Sequence, residues 1–381
     1  MGIMKNCTSI IIDSALKNSK GHYEQFSYDF RQALIRSGKK IIYISPSADL
    51  ANKNDGFSSP LISYKFVDAI SKPLFFHQSL QMVKRLTESG SDKFHLIFLR
   101  ANDLAAGNVI DWSKFLEGHQ QIDLKVLINV SGMISNSSHS KSEREVLNKL
   151  GIFKNKIHFM TWDSRVTENK EFSNFDYLPL YKNPAKKSIN QSQLRIGFFG
   201  KLTSDRGLTD LLFSAILNPQ LKFELKGYGF SFKYLYRYPG YLSVKKTPIK
   251  AIASLFLTLY IYLLTKLPNV SLSEIYFDTE QEMTAEIQKC SAIFWSCRKS
   301  PYESGIVIQS LAAGVPVVWL NGQSAMAKIL SSQYPVGELP IKKLYQFRGM
   351  HNFVLSLTEL SPSAPFTFEE FQSVASKCNC P

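Results

Sequence analysis

The sequence predicts an α/β protein built from two doubly wound parallel-sheet domains that face a cleft. Three observations carry this. A strand, a glycine loop, a helix and a second strand follow one another at the start of the chain; the same alternation then continues; and it restarts with a second glycine-bearing turn beyond the polar stretch 178–193, which holds two prolines. A length of 381 residues suffices for two such domains, each with its own core. The expected division is a first domain over 1–180, a linker over 181–193, a second domain over 194–345 interrupted by an insertion at 230–267, and C-terminal helices over 346–381 that can pack back on the first domain.

In the first half, a strand over 9–13 leads into the loop Asn18-Ser19-Lys20-Gly21-His22-Tyr23, a helix over 24–36 stopped by Gly38, and a strand over 40–45. This is a βαβ unit whose loop lies at the carboxyl end of the sheet, where open α/β folds bind ligands. His22 is the site candidate here; a surface histidine at a helix N-terminus is the alternative. A helix over 78–88 and strands over 94–99, 125–130 and 156–162 follow, with Ser142 and Glu145 spaced as a capping box. Polar residues stand just past strand ends at Arg100, Asn102 and Asp103, at Ser131 and Asn136, and at Asp163 and Arg165. Asp103 is a candidate base for an acceptor proton. His139 lies too far beyond its strand to be placed.

The second half opens with a strand over 194–199, the turn Gly200-Lys201-Leu202-Thr203-Ser204-Asp205-Arg206-Gly207 and a helix through Leu217. A strand over 223–226 ends in Gly227-Tyr228-Gly229. Between Glu224 and Glu274 the chain has no acidic residue, but seven lysines and arginines and seven tyrosines. Within it, residues 251–265 are uncharged; as a helix they would span roughly 22 Å against a hydrocarbon core of roughly 30 Å, so a full crossing is not expected. A helix lying in the bilayer interface, lysines toward phosphates and tyrosines at headgroup depth, has this pattern, and so does a helix buried in the second domain. An extended stretch over 269–277, a helix over 279–289 and a strand over 292–295 lead to a loop holding Tyr302, Glu303 and Ser304. A helix over 305–313, ended by Gly314, and a buried strand over 316–320 come next. The free amides of Ser304, Gly305 and Ile306 would sit at the positive end of the helix dipole and suit a phosphate, although the same pattern also makes an ordinary helix–strand pair. Helices are expected over 344–360 and 368–376.

The run ESGIVIQSLAAGVPVV from Glu303 resembles the signature in the donor domain of GT-B glycosyltransferases, most closely the group-1 or family-4 class. The resemblance implies that the helix N-terminus receives the diphosphate of a sugar nucleotide. The acid that holds the ribose in that family falls on Gln309, and its other glutamate falls on Pro301, so Glu303 is the candidate for the donor sugar. The family's turn with two basic residues matches Lys201 and Arg206 in reversed order, Gly200 opens that turn, and Gly227 and Tyr228 match a glycine turn beside the nucleotide base. Gly21-His22 resembles the family's first loop, facing acceptor and donor phosphate. The implied set is therefore His22, Asp103 and Glu303 for catalysis, and Gly200, Lys201, Arg206, Gly227, Tyr228, Tyr302, Ser304, Gly305, Ile306 and Gln309 for the donor. Two cations would neutralise the leaving diphosphate, so no metal and no cofactor beyond the nucleotide diphosphate sugar is implied. The implied acceptor is a lipid-linked or cell-surface glycan. A non-catalytic nucleotide-binding relative and a sugar-nucleotide epimerase of the same fold are the alternatives.

A net charge of +14 points to an anionic partner: nucleic acid, anionic lipid or a phosphorylated small molecule. No nucleic-acid motif is present, so no nucleic acid is expected, and the basic 230–266 stretch assigns the partner to an anionic membrane surface. Five scattered cysteines fit a reducing cytoplasm, and Cys378-Asn-Cys380 without a second pair is a weak metal motif. No secretory leader is recognisable, so the expected location is cytoplasmic, peripheral on the inner face of the cell membrane.

Overall fold

The computed structural model describes residues 7–14, 22–46, 60–69, 71–88, 93–99, 109–119, 122–128, 130–134, 140–182, 184–185, 193–202, 206–228, 259–260, 262–275, 277, 279–296, 304–320, 322, 324–360 and 362–377. The chain forms two compact units: Met1–Tyr181 with Phe366–Pro381, and Lys182–Pro365.

The first unit is a seven-stranded parallel sheet of β1 (Cys7–Ile12), β2 (Lys40–Ser45), β3 (Ile62–Phe66), β4 (Lys93–Phe98), β5 (Ile122–Leu127), β6 (Ile157–Thr161) and β7 (Phe175–Tyr177), in the order β3-β2-β1-β4-β5-β6-β7. Helices of two turns or more are α1 (His22–Arg36), α2 (Lys72–Glu88), α3 (Val109–Glu117) and α4 (Ser140–Leu150). Cores form on both faces. In β1, Ile10 and Ile12 enter one core and Ile11 the other, which is why a central parallel strand reads as an unbroken apolar run. At the end of β1 the buried carboxylate of Asp13 accepts hydrogen bonds from Ser27 and, at 2.8 Å, from the Tyr43 hydroxyl. Burial and then the Asp13 charge push Tyr43 well above the ordinary tyrosine range, so it stays a donor.

The last helix, α10 (Phe368–Ala375), belongs to this unit. Thr367 and Glu370 form its capping box, and its Phe371 ring meets Phe26, Phe30 and Tyr181. The far end is capped from inside the sheet. Lys125 of β5 is buried, and its ammonium donates to the carbonyls of Val374 at 2.9 Å and Lys377 at 2.8 Å. A cation at a helix C-terminus satisfies carbonyls that would otherwise be orphaned and complements the dipole. Lys125→Met should therefore lower the unfolding free energy by about 1–3 kcal/mol and speed amide exchange in α10, as measured by urea titration and hydrogen exchange.

Polar residues read from the sequence as a helix cap and as strand-end site candidates have other roles. Helix α4 begins at Ser140, so Ser142 and Glu145 lie inside it; Glu143 turns to the backbone instead, accepting the Met133 amide at 3.0 Å. Asp163 and Arg165 form a local bidentate pair, the carboxylate also capping residues 164–167, so both are spent on each other.

The second unit is a five-stranded parallel sheet of β8 (Arg195–Lys201), β9 (Lys222–Tyr228), β10 (Val270–Glu274), β11 (Ala292–Trp295) and β12 (Val317–Trp319), in the order β10-β9-β8-β11-β12. Its helices are α5 (Leu208–Leu217), α6 (Glu280–Gln288), α7 (Gly305–Ala312), α8 (Ala325–Gln333) and α9 (Gly349–Leu357). The order reverses between β8 and β11, so connections from β8 and from β11 leave on opposite sides and open a crevice at the carboxyl ends of these strands. Most of the insertion, residues 230–258 and 261, lies outside the described residues. Its end is seen: Leu264 is buried in the core, whereas Leu259, Tyr260, Tyr262 and Leu263 are exposed. Among the described residues no helix is long and apolar enough to cross a membrane.

Candidate functional site

The crevice of the second unit is built by glycines. Gly200 takes φ +91, in the left-handed region, as the chain leaves β8. A Cβ on Gly227, its partner in β9, would lie 1.8 Å from the Gly200 carbonyl oxygen, so the two strands can approach this closely only with glycine there. The Leu202 amide closes the turn on the Tyr228 carbonyl at 2.9 Å. On its other side Gly200 abuts the side chain of Ile306, 3.8 Å from where a Cβ would stand. The end of β8 thus lies against the first turn of α7.

The turn ends at Gly207, with φ +92, which caps α5 and lies against Ser296 at the end of β11. Arg206 immediately precedes it. Both Arg206 and Lys201 are half-buried, and Tyr228 is exposed at the rim. Ser296 is a further candidate that the sequence reading passed over: it is buried, and its hydroxyl has no hydrogen-bond partner among the described residues. Its signal was a polar residue directly after a fully apolar strand.

Helix α7 starts at Ser304, whose carbonyl accepts from Val307 and Ile308. The amides of Gly305 and Ile306 donate to no acceptor among the described residues, and no atom stands within 4 Å of a Cβ placed on Gly305. Amides without an acceptor among the described residues, at the positive end of a helix dipole, are what an anion site requires, and this end of α7 is the candidate for one. Gln309 sits further along α7, 2 % exposed, with its amide nitrogen donating to the Glu280 carbonyl at 3.0 Å and to the Thr284 hydroxyl at 2.7 Å. Its side chain thereby ties α7 to α6, and its Oε1 is buried with no hydrogen-bond partner among the described residues. Glu280 is in turn held by Lys182 at 2.8 Å.

Gly200 is thus brought against Gly227 and Ile306, and Gly207 against Ser296; Lys201 and Tyr228 follow Gly200 and Gly227 in the chain, Arg206 precedes Gly207, and Ser304 and Gly305 precede Ile306. Tyr302, Glu303 and Asp103 lie outside the described residues, as do Arg100, Asn102, Asn136 and His139. His22 is the first residue of α1, and its side chain lies outside the described set.

Behind the crevice, Lys226 of β9 bonds Glu286 of α6, which Lys289 also bonds. Burial raises the Glu286 pKa, but hydrogen bonds from Lys226 and Lys289 outweigh it and hold the carboxyl below its ordinary value of 4.5. Burial likewise opposes the Lys226 charge, and the Glu286 and Glu224 carboxylates outweigh it and hold the ammonium above 10.5. A depressed carboxyl contributes stability above its unfolded pKa and loses it as pH falls through the folded one; the raised lysine loses its part only at strongly alkaline pH. Glu286→Gln should cost about 1 kcal/mol at neutral pH. That difference should vanish as acid protonates Glu286 in the parent, which thermal unfolding across pH would read.

No protein-family model and no curated protein matches the chain. Solved structures do. A glycosyltransferase from Rickettsia africae aligns with a TM-score of 0.57 at 11% identity, over 97% of this chain and 92% of its own. HepE from Anabaena, in complex with UDP-glucose, aligns with a TM-score of 0.57 at 11% identity, over 97% and 94%. The lipopolysaccharide outer core galactosyltransferase WaaB aligns with a TM-score of 0.53 at 8% identity, over 96% and 98%. At these identities the likeness is one of fold.

Proposed function

We propose that this chain, whose two parallel sheets have the GT-B fold, is a glycosyltransferase that moves a sugar from a nucleotide diphosphate sugar to a lipid-linked or cell-surface glycan acceptor. The observation that carries this reading is the contact of Gly200, at the end of β8, with Ile306, on the first turn of α7, at the sheet's reversal point. In the reaction the bond from the sugar's anomeric carbon to the phosphate oxygen breaks, and its electron pair leaves with the diphosphate. Lys201, Arg206 and the Gly305 and Ile306 amides neutralise that charge as it develops. The acceptor hydroxyl attacks the same carbon and loses its proton to a base, for which His22 and Asp103 are the candidates; Glu303 is assigned to the donor sugar. Tyr302 and Ser304 complete the donor pocket, and Gly227 and Tyr228 flank the base. Gln309 acts here by holding α6 to α7.

The UDP-glucose in the Anabaena structure makes UDP sugars the first donors to try, and WaaB, a lipopolysaccharide outer core galactosyltransferase, makes a lipid-linked glycan the first acceptor; transfer is proposed to take place at the cytoplasmic membrane face. Thermal stabilisation by UDP, GDP, CMP and ADP sugars tests the reading: one nucleotide class should raise the melting temperature, and no shift with any of them would remove it. Because side-chain cations supply the charge, transfer should persist in excess EDTA, and its loss with recovery on added Mg²⁺ would overturn metal independence. The engagement of Gln309 with Thr284, where the family carries an acid, favours one second reading, a nucleotide-binding relative without turnover. Tight binding with neither transfer nor slow hydrolysis would select it. The basic 230–266 stretch is proposed to contact anionic lipid.

A further inference from the structure

We infer that a second segment, Ile341 to Arg348 together with the outer face of α5, docks the second unit on an anionic phospholipid bilayer. The inference rests on the reading that this protein works at a membrane, and it does not depend on the donor chemistry.

The segment sets apolar and cationic side chains side by side in water. Phe347 is 62% exposed, Ile341 52% and Tyr345 44%, and Lys342, Lys343 and Arg348 are exposed among them. Phe213 of α5 lies edge-on to Tyr345, with ring centroids 5.4 Å apart, and Ile216, one turn further along α5, is 43% exposed. A shallow groove of about 480 Å³ opens on this face between Phe213, Leu217 and Tyr345. The acid beside it, Asp210, accepts the Tyr345 hydroxyl at 2.9 Å.

The backbone holds these side chains outward at a cost. Arg348 takes φ 56, in the left-handed region, with its amide on the Leu217 carbonyl at 3.0 Å. Gly349 packs so closely on the Lys343 carbonyl that a Cβ would stand 2.2 Å away. Leu344 is fully buried and pins the turn to the core. A rigid, strained turn that keeps large apolar groups in solvent is a binding surface rather than a packing residue of the fold.

Its chemistry fits a bilayer. Protein interfaces deplete lysine at their apolar centre, whereas a membrane surface places aromatic rings at headgroup depth and cations at the phosphates. The described end of the insertion repeats the pattern. Tyr260, Tyr262 and Leu263 are exposed, Lys266 lies over the Tyr262 ring at 5.2 Å, and Asn269 ties this stretch to α5 through the Ala215 carbonyl at 3.0 Å.

The test is co-sedimentation with vesicles of phosphatidylcholine alone or mixed with phosphatidylglycerol. The parent protein should partition to the mixed vesicles only. Replacing Lys342, Lys343 and Arg348 together by glutamate should lower that partition roughly hundredfold, and Phe347→Ser roughly tenfold, with melting temperature and donor stabilisation unchanged. Parental partition by the triple variant would overturn the inference while leaving the transferase reading intact, and equal binding to both vesicle types would overturn it too. Loss of self-association without loss of vesicle binding would assign the face to a second copy. Absence of any donor binding alongside charge-dependent partition would remove the transferase reading and leave this one standing.

Discussion

Alanine in place of Lys201 and Arg206 together is expected to lower kcat/KM for the proposed sugar transfer by about 10³-fold or more, since removing one group that stabilises developing charge commonly costs about 10²–10³-fold. The cause is the position of the turn. Gly200 rests against Ile306, so the turn that carries Lys201 and Arg206 leaves β8 beside the start of α7, where a diphosphate is proposed to gather charge as its bond to the sugar breaks. The unreacted donor already carries most of that charge, so affinity should weaken as well, with nucleoside diphosphate losing more than nucleoside. Arg206→Lys should recover part of the rate, because a point charge replaces the fork but not its bidentate geometry. Unchanged kinetics in the double variant would mean that the diphosphate lies elsewhere.

Gly227→Ala should be the most damaging single methyl group in the second unit. The added carbon would stand 1.8 Å from the Gly200 carbonyl oxygen and 2.7 Å from its carbon, both backbone atoms of the central strand β8. Neither can swing aside as a side chain would, so β8 and β9 must part, at a cost of about 3 kcal/mol or more. Donor stabilisation should vanish with it, because the turn after β8 would move off α7. Gly305→Ala is the control: nothing stands within 4 Å of its Cβ, so the fold should keep its melting temperature while the methyl group crowds the phosphate position. Chemical denaturation and donor-shift assays on the pair separate folding from binding.

The fold was legible wherever strands are buried on both faces. Residues 40–45 and 292–295 were read with the bounds that β2 and β11 have, because unbroken β-branched and aromatic runs admit little else. The misses have physical reasons. Strand β3 is an edge strand with Tyr64 and Lys65 on it, half-exposed and without an apolar run. Helix α2 starts six residues before the reading had it, at Lys72, since Pro73 and two adjacent phenylalanines hide the helical period. Lys125, read as the first residue of its strand, lies within β5. A charge there looks like a strand end until one sees that distant helix carbonyls neutralise it.

In the crevice, the glycine turn and the helix start were readable as patterns. The approach of Gly200 to Gly227, the contact of Gly207 with Ser296, and the tie from Gln309 to Thr284 join positions far apart in sequence, and only the folded sheet brings them together.

The most direct test is a crystal structure of the protein with the nucleotide sugar that stabilises it most. Diphosphate oxygens within hydrogen-bond distance of the Gly305 and Ile306 amides, with the Lys201 and Arg206 side chains on the same phosphates, is the expected result. A donor bound with its diphosphate away from the β8 turn and the start of α7 would contradict it.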